Sequence, residues 1–98
     1  MPSLLFEWDP QKDAANERKH GVSVQEAAAA FQDPLAVLHG DPDHSHGERR
    51  EILVGHDALG RLLLVTFTER EDRIRIITAR RATKHERKAY EASQKNSS

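Results

Sequence analysis

The residues best suited to chemistry are basic side chains that lie close together in the last third of the chain. They are Arg70, Arg73, Arg75, Arg80, Arg81 and Lys84. A guanidinium group binds phosphate through two parallel hydrogen bonds and stays charged at every working pH. This pattern favours contact with a phosphodiester, in which negative charge builds on the non-bridging oxygens during cleavage. The alternative is an exposed strand followed by a solvated, ion-paired helix.

The charge distribution along the chain supports a basic surface. The net charge is only −1 over 98 residues. Residues 1–69 carry 6 Lys or Arg against 12 Asp or Glu, whereas residues 70–98 carry 9 against 4. The first part therefore has a balance of −6 and the second of +5. A basic end on an otherwise acidic chain is typical of proteins that meet phosphate groups.

Two sites could supply proton transfer beside these arginines. Lys19 and His20 end a predicted helix, where Lys19 could contact phosphate and His20 could act as a general acid or base. The alternative is that both simply complement the helix dipole. Glu48, next to Arg49, is a second candidate base. Tyr90 could stack on a nucleobase, or it could pack beneath its own helix.

Histidine and cysteine content limits the metal chemistry. The chain has no cysteine, which excludes disulfides, thiolate nucleophiles and cysteine-ligated metals. His44 and His46, near His39 and Asp43, could form a transition-metal site, because imidazole suits zinc, copper or nickel. The alternative is a polar surface loop over residues 40–50, which also contains two glycines and a proline.

These residues must be positioned by short elements with clear start and stop signals. Asp9 and Pro10 predict a helix that ends at Gly21, and Ser23 with Glu26 predicts a second helix through Phe31. The predicted strands are Leu4–Trp8, Leu35–His39, Glu51–His56, Arg61–Thr68 and Arg73–Arg80, and a last helix runs from Thr83 to Ala92. The order β-α-α-β-β-β-β-α predicts an α+β domain over residues 1–92, with a mainly antiparallel sheet and its helices on one face. Residues 93–98 contain no apolar side chain, and we expect them to form a disordered tail.

Side chains alternate between the two faces along the last predicted strand, Arg73–Arg80. This alternation predicts that Arg73 and Arg75 lie on one face of the sheet, and that the opposite face carries Ile74, Ile76, Thr78 and Arg80.

Composition excludes some classes and predicts a thin core. The longest apolar run, Leu62–Val65, is far shorter than the roughly 20 residues of a spanning helix, so we expect no membrane protein. No secretory signal is expected either. Hydrophobic residues make up 37% of the chain, but 12 of them are alanine, so few large side chains are available. A thin core is compatible with stabilisation by a bound partner.

Several motifs, in order along the chain, resemble the BrnT-type toxins of bacterial toxin–antitoxin systems. They are Phe6-Glu-Trp-Asp-Pro-Gln-Lys12, Asn16-Glu-Arg-Lys-His-Gly-Val22, Asp33-Pro34, Glu48-Arg49, Gly55, Val65-Thr-Phe-Thr-Glu-Arg70, Arg73-Ile-Arg-Ile-Ile-Thr-Ala-Arg80, Ala82 and Glu86-Arg-Lys-Ala-Tyr90. The resemblance spans Leu4 to Tyr90. Thr78 departs from the family pattern, which more often has serine at that position, and this departure leaves Arg80 intact.

The resemblance implies a RelE-like fold and a cytoplasmic ribonuclease that needs no cofactor. It also implies a BrnA-type antitoxin with a ribbon–helix–helix part, so that DNA is contacted only through the antitoxin. From their residue types and positions, Arg70 and Arg80 are expected to stabilise the transition state, and His20 or Glu48 to move protons. The alternative for the two arginines is ion pairing with Glu69, Glu71 or Glu86. The RNA-binding set is expected to be Lys19, Arg49, Arg73, Arg75, Arg81, Lys84 and Tyr90.

Two other functions remain open from the sequence. The chain could be a non-catalytic module that binds a partner and acts as half of a DNA-binding co-repressor. It could also be a metal-binding protein that uses His39, His44 and His46. RNA degradation in the presence of a chelator, and elemental analysis, distinguish these functions from the ribonuclease.

Overall fold

The computed structural model describes residues 5–40 and 49–95. The strands are β1 (Leu5–Glu7), β2 (Val37–Gly40), β3 (Arg50–His56), β4 (Leu62–Arg70) and β5 (Arg73–Arg81). The helices are α1 (Pro10–His20), α2 (Val24–Ala28) and α3 (Lys84–Lys95), and a 3-10 helix over Ala29–Gln32 continues α2. This order confirms the predicted α+β arrangement. Within the described residues, no helix has the length and apolar character needed to cross a membrane.

The predicted signals at the helix ends are present. The Asp9 carboxylate accepts a hydrogen bond from Gln11 N at 2.9 Å, and Pro10 opens α1. Gly21 ends α1 in the left-handed conformation, with φ of 72°, which glycine adopts without steric cost. Ser23 and Glu26 form both hydrogen bonds of a capping box at the start of α2.

The five strands form one sheet in the order β1-β5-β4-β3-β2. Strands β2 to β5 pair antiparallel with their neighbours, whereas β1 pairs parallel with β5. The mainly antiparallel sheet is therefore confirmed. The parallel pair places Glu7 opposite Arg75 at the edge of the sheet.

The helices cover both faces of the sheet, so the prediction that they share one face is wrong. One core contains Val22, Val24 and Ala27 together with Leu63 and Val65, which places α1 and α2 on that face. A second, smaller core contains Val54, Leu62 and Tyr90, whose strand residues point the other way. Helix α3 therefore packs on the opposite face.

A β-bulge changes the pattern of faces along β5. Thr66 pairs with Thr78, whereas Phe67 pairs with Ile76, so Ile77 is an extra residue on β5. Beyond the bulge the alternation is shifted by one residue. Arg80, which pairs with Leu64, consequently lies on the same face as Arg73 and Arg75. The prediction that it shares a face with Ile74 and Ile76 is wrong for this reason.

A buried asparagine joins α1 to the sheet. Asn16 donates from its amide nitrogen to Val22 O and Ala79 O, both at 2.8 Å, and accepts from Ala79 N at 3.2 Å. A buried amide or carbonyl group that lacks a hydrogen-bond partner lowers the free energy of unfolding by about 1–3 kcal/mol. The three hydrogen bonds of Asn16 therefore fix the position of α1 against β5.

Helix α3 begins as predicted but ends later. Thr83 and Glu86 form both hydrogen bonds of a capping box, which confirms the predicted start. The helix continues to Lys95, three residues beyond Ala92. In this added part Gln94 donates from Nε2 to Leu35 O at 3.2 Å, which ties the turn to the neighbouring chain segment. Residues 96–98 of the predicted tail lie outside the described residues.

Candidate nucleic-acid interface

The sheet face that α3 shares also carries most of the chain's strand arginines. We call it the arginine face and define it by Glu7, Arg50, Arg70, Arg73, Arg75 and Arg80, which the register places on one side of the sheet. Thr78 is exposed between Arg75 and Arg80 on this face. Five guanidinium groups on one side of a sheet produce a positive surface on which a phosphodiester chain can bind.

One end of the arginine face has a carboxylate between two arginines. Glu7 Oε2 lies 3.7 Å from a guanidinium nitrogen of Arg73, and Glu7 Oε1 lies 3.7 Å from one of Arg75. The side chain of Arg73 is 58% exposed, that of Arg75 33% and that of Glu7 28%. Both distances exceed hydrogen-bond length, so these ion pairs leave the carboxylate oxygens able to accept hydrogen bonds.

The other end of the arginine face has a tightly held arginine. Arg80 donates from Nη1 to Glu86 Oε1 at 2.8 Å and from Nη2 to Glu86 Oε2 at 2.7 Å. Glu86 also accepts from Thr83 N in the capping box. The hydrogen bonds from Arg80, followed by that from Thr83 N, lower the pKa of Glu86 to about 2. Hydrogen bonding to Glu86 raises the pKa of Arg80, so its guanidinium remains charged.

The two leading candidates, Arg70 and Arg80, are at opposite ends of the β4–β5 hairpin. Arg70 pairs with Arg73 beside the turn, whereas Arg80 pairs with Leu64. Arg73 and Arg80 are seven residues apart, which at about 3.3 Å per residue, allowing for the bulge, amounts to about 20 Å. Arg70 and Arg80 therefore share a face but would contact different phosphates.

The structure places His20, one of the two predicted proton carriers, away from this face. Lys19 and His20 lie at the end of α1, on the opposite side of the sheet. Glu48 lies outside the described residues. Of the remaining predicted contacts, Arg49 is exposed just before β3 and Lys84 is exposed in the first turn of α3. Arg81 is exposed and pairs with Leu63, so it points away from the arginine face.

Tyr90 has a packing environment. Its side chain is buried, and its hydroxyl donates to Leu35 O at 3.2 Å. Its ring meets that of His56 edge to face, with a centroid distance of 5.6 Å. Burial, together with the nearby charge of Asp33, raises the pKa of Tyr90. These contacts hold α3 on the sheet.

Sequence reasoning missed two residues of the arginine face, Glu7 and Arg50. Arg50 is two residues before Ile52 and four before Val54, so alternation alone gives it the face of those side chains. No pattern in the sequence indicated the face of Glu7, because a strand of three residues does not show which other strand it pairs with. Only the parallel pairing with β5 brings it to Arg73 and Arg75.

The metal alternative concerns residues that are mostly outside the described part. His44 and His46 lie there, and His39 is exposed on β2. Over residues 5–40 and 49–95, the structure contains no group of three His, Asp or Glu side chains close enough to hold a metal ion.

The sequence was compared with models of known protein families. Residues 8–86 match the family model described as the ribonuclease toxin, BrnT, of a type II toxin–antitoxin system. The chain belongs to the BrnT family. The match confirms the family resemblance and assigns the chain to the ribonuclease toxins of type II toxin–antitoxin systems.

A solved structure supports the BrnT fold. The chain is similar to the ribonuclease toxin BrnT of Brucella abortus, seen in a crystal structure at 1.1 Å resolution. The TM-score is 0.62 at 22% identity, over 84% of this chain and 100% of that one. A comparison with curated protein sequences finds no match.

Proposed function

We propose that this BrnT-family chain is an endoribonuclease that binds RNA on the arginine face and cleaves it without a metal ion. The observation that carries the proposal is the alignment of Arg50, Arg70, Arg73, Arg75 and Arg80 on one side of the sheet. Charge on the phosphate oxygens is greatest in the transition state, where fixed guanidinium groups stabilise it most. Arginine can thus supply the electrostatic stabilisation that a divalent ion supplies in other nucleases.

The proposed reaction is attack by a ribose 2′-hydroxyl on the adjacent phosphate. The 2′-oxygen forms a bond to phosphorus, the bond to the 5′-oxygen breaks, and the products are a 2′,3′-cyclic phosphate and a 5′-hydroxyl. Because Arg70 and Arg80 are about 20 Å apart, one of them contacts the reacting phosphate and the other holds a distant phosphate of the same strand. The sequence-based assignment of proton transfer to His20 or Glu48 stays a prediction.

We also propose that the partner is a BrnA-type antitoxin, which binds DNA through a ribbon–helix–helix part and covers the arginine face in the cytoplasm. Two features support this proposal. The exposed guanidinium groups of Arg73 and Arg75 suit an acidic partner. Beside Glu86, an apolar groove of about 210 Å³, lined by Val37 and Leu64 among others, could receive an apolar anchor of the same partner.

The test of the activity is cleavage of a labelled single-stranded RNA by the purified chain in excess EDTA. We expect cleavage to persist and the products to carry a 2′,3′-cyclic phosphate and a 5′-hydroxyl. Cleavage that is lost in EDTA and restored by one specific divalent ion would refute metal independence. Products with a 5′-phosphate would refute attack by the 2′-hydroxyl.

The bidentate pairing of Arg80 with Glu86 favours a second candidate, a partner-binding module with no catalysis. In that case Arg80 only stabilises the β5–α3 junction. The chain would then strengthen operator binding by its antitoxin and leave RNA intact in the same assay.

A further inference from the structure

We propose that Glu7 accepts the proton of the 2′-hydroxyl and that the scissile phosphate binds to Arg73 and Arg75 beside it. This inference rests on the proposed ribonuclease function. It places the reacting group at the end of the arginine face where β1 meets β5, and it gives the reaction a base that sequence reasoning did not identify.

The position of Glu7 is the first argument. Its carboxylate is 3.7 Å from both Arg73 and Arg75 and its side chain is 28% exposed, so it lies between the two guanidinium groups and is accessible from solvent. A phosphate bound between the two guanidinium groups would bring its neighbouring ribose to the carboxylate. Arg70, which pairs with Arg73, lies at the same end and can contribute charge to the same phosphate.

Comparison of Glu7 with Glu86, a carboxylate that also pairs with an arginine of this face, is the second argument. Glu86 accepts two short hydrogen bonds from Arg80 and one from Thr83, and its pKa of about 2 makes it a poor proton acceptor near neutral pH. Among the residues that the structure describes, Glu7 makes two longer ion pairs, with Arg73 and Arg75, and Arg70 lies on the neighbouring strand at the same end. Of these two carboxylates, Glu7 is the one whose arginine contacts leave its oxygens open to a substrate hydroxyl.

The cost of a carboxylate on this surface is the third argument. A negative charge on an RNA-binding face repels phosphate and weakens binding. Strand β1 is already held by backbone pairing to β5 and by Phe6, which packs against the larger core, so the fold has a second source of stability there. A role in the reaction explains why the carboxylate lies among the arginines.

In the proposed step, the 2′-hydroxyl proton moves to a Glu7 carboxylate oxygen while the 2′-oxygen attacks phosphorus. The bond from phosphorus to the 5′-oxygen breaks, and the leaving oxygen takes a proton from water. Arg73 and Arg75 remain protonated and stabilise the charge that develops on the non-bridging oxygens. Glu7 then releases its proton to solvent.

The experiment compares Glu7→Gln, Glu7→Asp and the wild type by single-turnover cleavage and by RNA binding. We expect Glu7→Gln to cleave about 100-fold more slowly, since general bases contribute about 10²–10⁴-fold. We expect it to bind RNA as tightly as the wild type or more tightly, because a repelling charge is gone. The acidic limb of the pH–rate profile should be absent in Glu7→Gln, and Glu7→Asp should recover part of the rate.

The matched control is Glu69→Gln, which removes the same charge from an exposed residue of β4. Glu69 pairs with Ile74, so its side chain lies on the opposite face, and its rate and pH profile should equal those of the wild type. If Glu7 only positioned the arginines, Glu7→Gln would bind RNA more weakly and keep the shape of the pH profile, which would overturn the proposal. If Glu7→Gln and the wild type cleaved RNA equally fast, the proposal for Glu7 would be wrong and the ribonuclease proposal would stand. If the wild type did not cleave RNA, both proposals would be wrong.

Discussion

Arg80 of β5 and Glu86 of α3 form two parallel hydrogen bonds, of 2.8 and 2.7 Å, across the junction between sheet and helix. Because Glu86 also completes the capping box with Thr83, the orientation of the Arg80 guanidinium and the first turn of α3 depend on one carboxylate. A helix start and a candidate phosphate contact are thereby coupled. Any change at Glu86 should affect both stability and RNA binding.

Stability should therefore depend on the ionisation of Glu86. Its folded pKa, about 2, is below the ordinary value of 4.5, so its contribution is present above pH 4.5 and is lost as pH falls towards 2. We expect Glu86→Gln to lower the free energy of unfolding by about 1 kcal/mol at pH 7, allowing for solvent screening of a partly exposed pair. Urea unfolding between pH 2 and 7 measures this. If the free energy of unfolding depended on pH in the same way for Glu86→Gln and the wild type, the pH dependence would not come from Glu86.

Removal of Arg70 or of Arg80 should reduce RNA cleavage to different extents. Loss of one preorganised charge contact at the reacting phosphate typically costs about 10²–10³ in rate, so we expect this loss for Arg70→Ala, which lies at the same end as Arg73 and Arg75. Arg80 holds a distant phosphate, so we expect Arg80→Ala mainly to weaken RNA binding, with a smaller loss of rate. Lysine should restore only part of the rate, because the bidentate fork is absent. Arg18→Ala, an exposed change on α1, is the matched control. The measurement is single-turnover cleavage with circular dichroism on each variant, and two folded alanine variants with wild-type rates would contradict the prediction.

Much of the fold could be predicted because its signals are local. Helix α1 begins at Pro10 and ends before Gly21, as predicted, and capping boxes at Ser23 and Thr83 begin two further helices. The face of α3 could not be predicted, because an amphipathic helix does not specify which side of a sheet it covers. Tyr90 settles that question only through tertiary contacts with β3 and β4.

The candidate site was predictable in composition but not in arrangement. The basic segment is visible in the sequence, yet the bulge at Ile77 reverses the face of every residue after it. Alternation alone therefore put Arg80 on the wrong side. The pairing of Glu7 with Arg73 and Arg75 depends on a parallel contact between chain segments more than 60 residues apart, which no local pattern records.

A network at the β3–β4 turn should be a main source of stability. Arg61 donates to the Asp57 carboxylate at 2.8 Å and to Glu26 at 3.0 Å, and the side chain of Asp57 is 1% exposed. Removing one partner of a buried pair costs about 3–5 kcal/mol, because the remaining charge is uncompensated. We expect Arg61→Ala to be destabilised towards the lower end of that range, since Asp57 keeps its hydrogen bonds from Leu59 N and Arg61 N.

A double-mutant cycle checks this network by urea unfolding. Arg61→Ala in an Asp57→Asn background should cost less than Arg61→Ala alone, because the buried charge is already gone. Equal costs in the two backgrounds would show that the pair is not coupled. Lys12→Ala, an exposed change on α1, should leave the free energy of unfolding within about 0.5 kcal/mol of the wild type.

The antitoxin should bind the arginine face and thereby exclude RNA. The side chain of Arg73 is 58% exposed and that of Arg75 33%, and complementary charge accelerates encounter more than it raises affinity. We expect the association rate to fall as salt increases, and Arg73→Ala with Arg75→Ala to slow association further while Arg18→Ala does not. Binding should also stabilise the chain by about 4 kcal/mol when free partner is a thousandfold above its Kd. Stopped-flow association, thermal melting and RNA competition on the complex measure these effects. Salt-independent association, together with RNA that binds the complex as well as the free chain, would place the antitoxin on another surface.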